Sequence, residues 1–305
     1  MSGLAERNAP SSAQHGAEPT FGELVRGLAR MFAAAGIPQA GTEARDLVAA
    51  VLDKPRFWPA LHANEHPLPD EASAIREAAR RRTRGAPMQY AVRRAAFRFL
   101  SLRVDERVLI PRPETEQLVE LVLASTQARR GGIAADVGTG SGAIALALAA
   151  EGRFERIIAT DLSLDALGVA RENHRLVKAS LRAPVEWRAG SALAPLRGTR
   201  VDVLVSNPPY IAYTELPALP ANVRNWEPTQ ALCCSGEGLA VTREIVAAAP
   251  DALQPRGLLA LEVDATRAHA VAALMESSGG FEQVAVHRDF SGRDRFVLAT
   301  RRGGD

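Results

Sequence analysis

From Ile133 onward, apolar segments of strand length alternate with helical segments. The segment IAADV (Ile133–Val137) is followed by a glycine-rich turn and the helical run AIALALAA, and RIIATD (Arg156–Asp161) precedes another helical run. Further strands are expected at VEWRAG, VDVLVSN, GLLALEV and RFVLATR. Strands alternating with helices favour a mostly parallel sheet covered on both faces. The sequence therefore predicts an α/β domain.

The segment before this domain has helical periodicity. Apolar residues recur at helical spacing from Phe21, from about Thr42, and from the end of PLPD to Arg84. We expect a disordered tail at 1–19 and a small all-helical domain at 20–86. The strand-like runs MQYAV and FRFLSLRV predict a β-hairpin linker at 87–110, followed by the α/β domain at 111–305.

Composition excludes several classes of protein. With 305 residues, 47% of them hydrophobic, and a formal charge of +2, the chain can bury a core but has no overall basic field for nucleic acid. Neither a signal peptide nor a membrane span is expected. The adjacent Cys233 and Cys234 exclude a disulfide framework and fit a reducing cytoplasm. Pro67 directly follows His66, and no carboxylate is positioned as a third ligand for His62 and His66, so a surface loop rather than a metal site is expected.

The motif DVGTGSG (Asp136–Gly142) lies where a strand ends and a helix begins. Its glycines allow close approach of a ligand, although a dinucleotide site, a nucleoside site and a tight connection all remain open. Asp161 ends the next strand about twenty residues later, where a carboxylate can accept hydrogen bonds from ribose hydroxyls. The pair predicts a ribose-containing cofactor. No Gly-Lys-Ser/Thr follows, which disfavours a P-loop.

A second motif, VSNPPYIAY (Val205–Tyr213), follows the strand that should neighbour the cofactor strand. The Asn207 carboxamide can accept a hydrogen bond from an amino group and donate one. Pro208 and Pro209 fix the backbone and hold carbonyl groups outward, and Tyr210 offers a ring face. This corner suits a flat substrate that carries an amino group, such as a nucleobase or a carboxamide.

Together, NPPY and DVGTGSG resemble S-adenosylmethionine-dependent methyltransferases that modify amino groups of planar substrates. The segments GAPMQYAV, VLIPRPETEQLVE (Val108–Glu120), EPTQAL…SGEGL (Glu227–Leu239) and SGRDRFVLA are similar to the HemK/PrmC family, the peptide chain release factor N(5)-glutamine methyltransferases. The likeness extends over nearly the whole chain from Phe21. It implies a Rossmann-like methyltransferase domain at 111–305, with a mostly parallel seven-stranded sheet.

The resemblance also implies roles for individual residues. The methionine portion of S-adenosylmethionine would be wrapped by Gly138, Thr139, Gly140, Ser141 and Gly142, and its ribose would be held by Asp161. Asn207 would lie beside the cofactor and, with the Pro208 carbonyl, grip the glutamine amide; Pro209 and Tyr210 complete the substrate site. The loop Pro111–Thr115 would line the edge of the site, with Arg112 and Glu114 as a possible ion pair.

Two positions depart from the family pattern. Ser191 and Ala192 replace an acid and a bulky residue that usually frame the adenine, so adenine recognition is expected to be weaker or rearranged. Asp264 replaces a glycine, which leaves the conformation of that loop open.

The implied partners are peptide chain release factors as protein substrate, with no membrane and no sequence-specific nucleic acid. A cytoplasmic monomer is expected. The basic run Arg80–Arg84, with Arg93, Arg94 and Arg98 nearby, is either a docking surface or a solvated helix face. The alternatives that the sequence leaves open are adenine N6 methylation, glutamine methylation of a ribosomal protein, and a noncatalytic cofactor-binding module.

Overall fold

The computed structural model describes residues 19–127 and 131–303. The described chain separates into two compact units, divided between Arg84 and Gly85. Apart from Pro19, the predicted tail at 1–19 lies outside the described residues. The limits 20–86, 87–110 and 111–305 stay predictions. Within the described ranges, no helix combines the length and the apolar character needed to cross a bilayer.

The smaller unit is helical, as its periodicity predicts. Its helices are α1 (Phe21–Ala34), α2 (Ala40–Val51), α3 (Trp58–Leu61) and α4 (Pro69–Thr83). A capping box starts α1: the Glu23 amide donates to Thr20 Oγ1 at 3.2 Å, and the Thr20 amide donates to the Glu23 carboxylate at 2.9 Å. Phe32, Leu47 and Ile75 are fully buried and stabilise the unit by hydrophobic contact.

The run MQYAV is a short helix, α5 (Met88–Val92), and its prediction as a strand is wrong. Pro87 lies at the N-cap, and Arg93 ends the helix in the left-handed region at φ +57°. The Tyr90 ring is buried, and its hydroxyl donates to the Val108 carbonyl. This tertiary contact outweighs the strand preference of Tyr and Val. The hairpin itself is present as antiparallel β1 (Arg94–Phe97) and β2 (Leu100–Arg103).

The larger unit continues with further strands and helices in its described residues. The strands are β3 (Ile133–Val137), β4 (Arg156–Asp161), β5 (Val185–Ala189), β6 (Val201–Ser206), β7 (Ile211–Ala212), β8 (Cys233–Cys234), β9 (Leu253–Glu262), β10 (Phe281–Arg288) and β11 (Asp294–Arg301). The helices are α6 (Pro113–Thr126), α7 (Ala143–Glu151), α8 (Leu164–Val177), α9 (Ala221–Arg224), α10 (Thr229–Leu232), α11 (Ser235–Gly238), α12 (Ala240–Ala252) and α13 (Ala268–Ser277).

A seven-stranded sheet organises this unit, in the order β10-β11-β9-β6-β3-β4-β5. The pairs from β5 to β9 are parallel, whereas β11 runs antiparallel to both β9 and β10. The short strands β7 and β8 pair separately. The predicted α/β fold with a mostly parallel seven-stranded sheet is confirmed.

The core lies in two apolar layers on opposite faces of this sheet. One layer packs α6 and α7 against the strands through residues such as Leu118 and Leu146. The other packs α12 and α13 through residues such as Ile245 and Met275. Within β3, Ala134 belongs to the first layer and Ala135 to the second. Because β3 is covered on both sides, its carboxyl end is held firmly where the site begins.

Candidate active site

The two sequence motifs meet at the carboxyl ends of adjacent strands. β3 pairs with β6 in parallel register, with Val137 opposite Ser206. Gly138 and Asn207 therefore follow paired residues, and the predicted neighbourhood of the two motifs is confirmed. The hydroxyl of Ser206 donates to the Val137 carbonyl at 2.6 Å and ties the two strand ends together.

The turn after β3 depends on glycine for two different reasons. Gly138, Gly140 and Gly142 have φ of +74°, +55° and +84°, a region that side chains disfavour. A Cβ at Gly142 would also lie 3.1 Å from the Trp187 ring. By contrast, a Cβ at Gly138 or Gly140 would meet no atom within 4 Å. Gly142 is thus needed for packing, while the first two glycines face open space.

Asp136 stabilises this turn through hydrogen bonds. Its carboxylate accepts from the Thr139 hydroxyl at 2.6 Å and from the Ala145 amide, in the first turn of α7, at 3.1 Å. The side chain is completely buried, and burial raises its pKa to about 7. The motif was recognised from its glycines, but the bracing role of this acid was not predicted.

Asp161 reaches the glycine turn from the end of β4. One carboxylate oxygen accepts from the Gly140 amide at 2.8 Å, and the other accepts from the Ser163 amide at 2.8 Å. Burial raises the pKa of Asp161, although these backbone donors oppose that shift. Each carboxylate oxygen can accept a further hydrogen bond, so the acid can hold both the loop and a ribose.

These residues border a pocket of about 360 Å³, within the usual size range of ligand sites. Gly138, Gly140, Asp161, Ser191, Ala192 and Asn207 are among the residues that line it. The open space above the two glycines, beside an acid, fits a nucleoside cofactor. Ala192 has φ +41°, so a left-handed backbone shapes the end where Ser191 and Ala192 depart from the family pattern.

The elbow after β6 presents Asn207, Pro208 and Pro209 to this pocket. Cys234, which is buried, donates through its thiol to the Pro209 carbonyl at 3.1 Å. Tyr210 is half-buried and does not line the pocket. Burial raises the pKa of Tyr210 to about 12, and the nearby Glu262 adds to this shift. The roles assigned to Asn207, Pro208, Pro209 and Tyr210 stay predictions.

Behind Asn207 lies a hydrogen-bonded chain that sequence reasoning missed. The side-chain amide of Asn207 donates to Thr115 Oγ1 at 3.1 Å, and the Thr115 hydroxyl donates to Glu262 at 2.7 Å. Burial raises the pKa of Glu262 to about 7. The position of Thr115 inside the PRPET segment was the only signal, and it pointed to the edge of the site rather than to Asn207.

The suggested ion pair between Arg112 and Glu114 is wrong. Arg112 instead pairs with Glu227, which is buried and also accepts from the Ile110 amide at 3.2 Å. A buried carboxylate requires a charged partner or hydrogen-bond donors, and Glu227 has both. This pair fixes the segment that leads into α6 and places Thr115.

Asn173 of α8 connects the hairpin to the glycine turn. Its amide accepts from the Arg103 amide at 2.7 Å, and donates to the Arg103 carbonyl at 3.0 Å and to the Ser141 carbonyl at 2.9 Å. The side chain is fully buried. No sequence pattern marked this residue.

The remaining sequence-based expectations concern charged residues. Asp264 is not among the described residues with positive φ, and it accepts from the Thr266 amide at 2.9 Å, so this loop accommodates an aspartate. In the basic run, Arg80 and Arg81 both pair with Glu77, at 2.8 and 3.4 Å. Arg98 pairs with Glu120 and Glu151 within the larger unit, and the docking role of the basic run stays a prediction.

Comparison with known families agrees with this architecture. Residues 23–92 match the model of the PrmC N-terminal domain, and residues 115–218 match the model of the methyltransferase small domain. A solved methyltransferase from Pyrococcus furiosus is 19% identical, with a TM-score of 0.49, covering 68% of this chain and 92% of that chain.

Curated relatives match over most of the chain. The release factor glutamine methyltransferase of Moorella thermoacetica is 43% identical over 92% of this chain and 97% of its own length. Those of Cereibacter sphaeroides and Deinococcus radiodurans are 41% and 37% identical, and the matches cover 97% and 98% of their lengths.

The sheet order and the matched methyltransferase model define the larger unit as a Rossmann-like methyltransferase domain. The relatives, which are matched over 97–98% of their lengths, make the family assignment more specific. The chain belongs to the release factor glutamine methyltransferase family.

Proposed function

We propose that this protein transfers a methyl group from S-adenosylmethionine to the side-chain amide nitrogen of the glutamine in the Gly-Gly-Gln motif of peptide chain release factors. Family membership supports this substrate. The observation that carries the proposal is the Asn207 side chain, which lines the pocket while its NH₂ group is engaged by Thr115. Its oxygen is thereby left to accept from a substrate amide.

An amide nitrogen is a poor nucleophile because its lone pair is delocalised into the carbonyl. The Asn207 oxygen and the Pro208 carbonyl would each accept one N–H of the glutamine side chain. These hydrogen bonds would aim the nitrogen and strengthen as it becomes positive. Orientation of this kind can supply about 7–11 kcal/mol of a barrier reduction.

S-adenosylmethionine supplies an electrophilic methyl group when bound. Gly138 and Gly140 leave the space that this cofactor would occupy, and Asp161 would accept from its ribose hydroxyls. A cytoplasmic location and a monomeric state are the accompanying expectations.

Transfer of labelled methyl tests the substrate assignment. Purified release factor and a Gly-Gly-Gln loop peptide should both be labelled, whereas the same release factor with that glutamine replaced by alanine, and DNA, should not. Labelling of DNA, or of the glutamine-free factor at the same rate, would overturn the proposal.

Replacement of the elbow amide tests the role of Asn207. Asn207→Ala should lower kcat by about 100-fold or more, because it removes an acceptor that strengthens in the transition state. Asn225→Ala is the matched control, since Asn225 is exposed and outside the pocket lining. The affinity for S-adenosylmethionine, measured by calorimetry, should change by less than about 3-fold in both variants. An unchanged kcat for Asn207→Ala would contradict the assignment.

A further inference from the structure

Thr115 and Glu262 form a buried support behind Asn207. Thr115 is 4% exposed and Glu262 is 1% exposed, and neither lines the pocket. Glu262 ends β9, which is paired with β6, so its side chain reaches the edge where Asn207 begins the elbow. Thr115 comes from the first turn of α6 and fills the space between them. The two residues can therefore act on a substrate only through Asn207.

The hydroxyl hydrogen of Thr115 can lie in only one direction. An ionised Glu262 is solely an acceptor, so the Thr115 hydroxyl must donate to it. Thr115 Oγ1 then has only lone pairs to offer Asn207, and only the NH₂ end of the Asn207 amide fits there. The oxygen of Asn207 is consequently turned away from Thr115.

We infer that Thr115 and Glu262 are positioning residues that present the Asn207 oxygen to the substrate amide, and that protonation of Glu262 releases this orientation. The effect on methyl transfer presupposes the proposed function, whereas the hydrogen-bonded chain does not. A protonated Glu262 can donate to Thr115 Oγ1, which frees the Thr115 hydrogen to turn toward Asn207. The amide can then flip and place its NH₂ group against the NH₂ group of a substrate glutamine.

The surroundings of Glu262 place this change near neutral pH. Burial is the largest cause of its raised pKa, and the Thr115 hydrogen bond opposes it. The ionisable groups that face Glu262 are Arg295 of β11, Arg112 and Glu114 at the start of α6, and Tyr210 after β6. Because the ionised form holds the productive orientation, transfer should fall as the pH drops below about 7.

Paired substitutions at Thr115 test the orientation. Thr115→Val keeps the shape but removes the hydroxyl, and should lower kcat about 10- to 100-fold with little change in affinity for S-adenosylmethionine. Thr115→Ser should restore most of the loss. Thr126→Val is the matched control, because Thr126 is buried on the same helix and its hydroxyl donates to carbonyls of that helix. Equal kcat for Thr115→Val and wild type would overturn the role of Thr115.

The pH profile tests Glu262. Glu262→Gln cannot titrate and, like the protonated acid, can donate to Thr115 Oγ1, so at about pH 8 its kcat should fall toward the low value that the wild type has at acid pH. The acid limb of the profile near neutrality should disappear. An acid limb that persists in this variant would assign it to another group, such as Asp136, and would overturn the role of Glu262.

A measurement without substrate separates this inference from the proposed function. In isotope-labelled full-length protein, the side-chain amide resonances of Asn207 should shift with pH as Glu262 titrates, and should stop shifting in Glu262→Gln. Absence of that shift in the wild type would overturn the chain of hydrogen bonds. If the shift is present but no release factor is methylated, only the proposed function fails.

Discussion

At the scale of single residues, Gly142 is the most constrained of the three glycines in the glycine turn. Its φ of +84° disfavours a side chain, and the Trp187 ring and Leu146 lie 3.1 and 3.2 Å from where a Cβ would be. Gly138 has a similar φ of +74° but open space around it. The two positions therefore separate backbone strain from crowding.

Alanine substitution should reveal this difference. Gly138→Ala should lower the free energy of unfolding by about 1 kcal/mol, the cost of a left-handed alanine. Gly142→Ala should lower it by about 2–4 kcal/mol, because the ring must also move. Denaturant unfolding without cofactor measures both. Equal losses for the two variants would mean that the Trp187 ring moves aside without a cost in stability.

Several site residues were predictable because their signal is local. Gly138, Gly140 and Asn207 stand beside glycines or prolines whose backbone restrictions are evident from sequence. Glu262 gave no such signal, and the PRPET segment indicated only that Thr115 lies at the edge of the site. The two residues lie 147 positions apart, and their hydrogen bond exists only because the fold brings α6 to the end of β9. Asp136 was visible within its motif, yet its contact with the Ala145 amide required the structure.

At the scale of elements, Arg98 connects the hairpin to two helices through hydrogen bonds and ion pairs. Its guanidinium donates to Glu151 of α7 and Glu120 of α6, each at 2.7 Å, and to the Glu116 carbonyl at 3.1 Å. The side chains of Arg98 and Glu151 are only 12% and 17% exposed. The two acids raise the pKa of Arg98 further above its usual value.

Loss of the Arg98 side chain should destabilise the larger unit. Arg98→Ala should lower the free energy of unfolding by about 2–3 kcal/mol, because Glu151 is left largely buried without its cation. Arg93→Ala is a suitable control, since Arg93 has the same left-handed backbone, at φ +57°, but is exposed. Its effect should stay below about 0.5 kcal/mol. Thermal and denaturant unfolding of both variants measures these losses, and equal losses would contradict the prediction.

Element type was predictable where apolar runs were long and bounded by turns, as for β3 and β4. The prediction of element type failed for MQYAV, because five residues fit a strand or a helix equally well from sequence alone. The burial of Tyr90, which decides for the helix, is visible only in the structure. β10 was not identified either. It lies at the sheet edge, and its burial alternates irregularly around a bulge, so it lacks the continuous apolar character of the central strands.

At the scale of the whole molecule, the pocket is built from a single unit. All of its lining residues lie between Arg107 and Ile245, in the unit that begins at Gly85. A fragment of residues 85–305 should therefore bind S-adenosylmethionine with an affinity within about 3-fold of the full chain. Calorimetry on the fragment, with circular dichroism as the check of folding, measures this. A folded fragment that has lost binding would show that the helical unit contributes to cofactor affinity.

The three hydrogen bonds of Asn173 have a consequence for local opening. The same amide secures both backbone groups of Arg103 in the hairpin and the Ser141 carbonyl in the glycine turn. If the hairpin lifts from α8, Asn173 loses its two hydrogen bonds to Arg103 and keeps only the one to the Ser141 carbonyl, so its side chain is held less firmly beside the turn. Substitutions that loosen the hairpin should therefore raise the mobility of the glycine turn as well, although the two segments are far apart in the sequence.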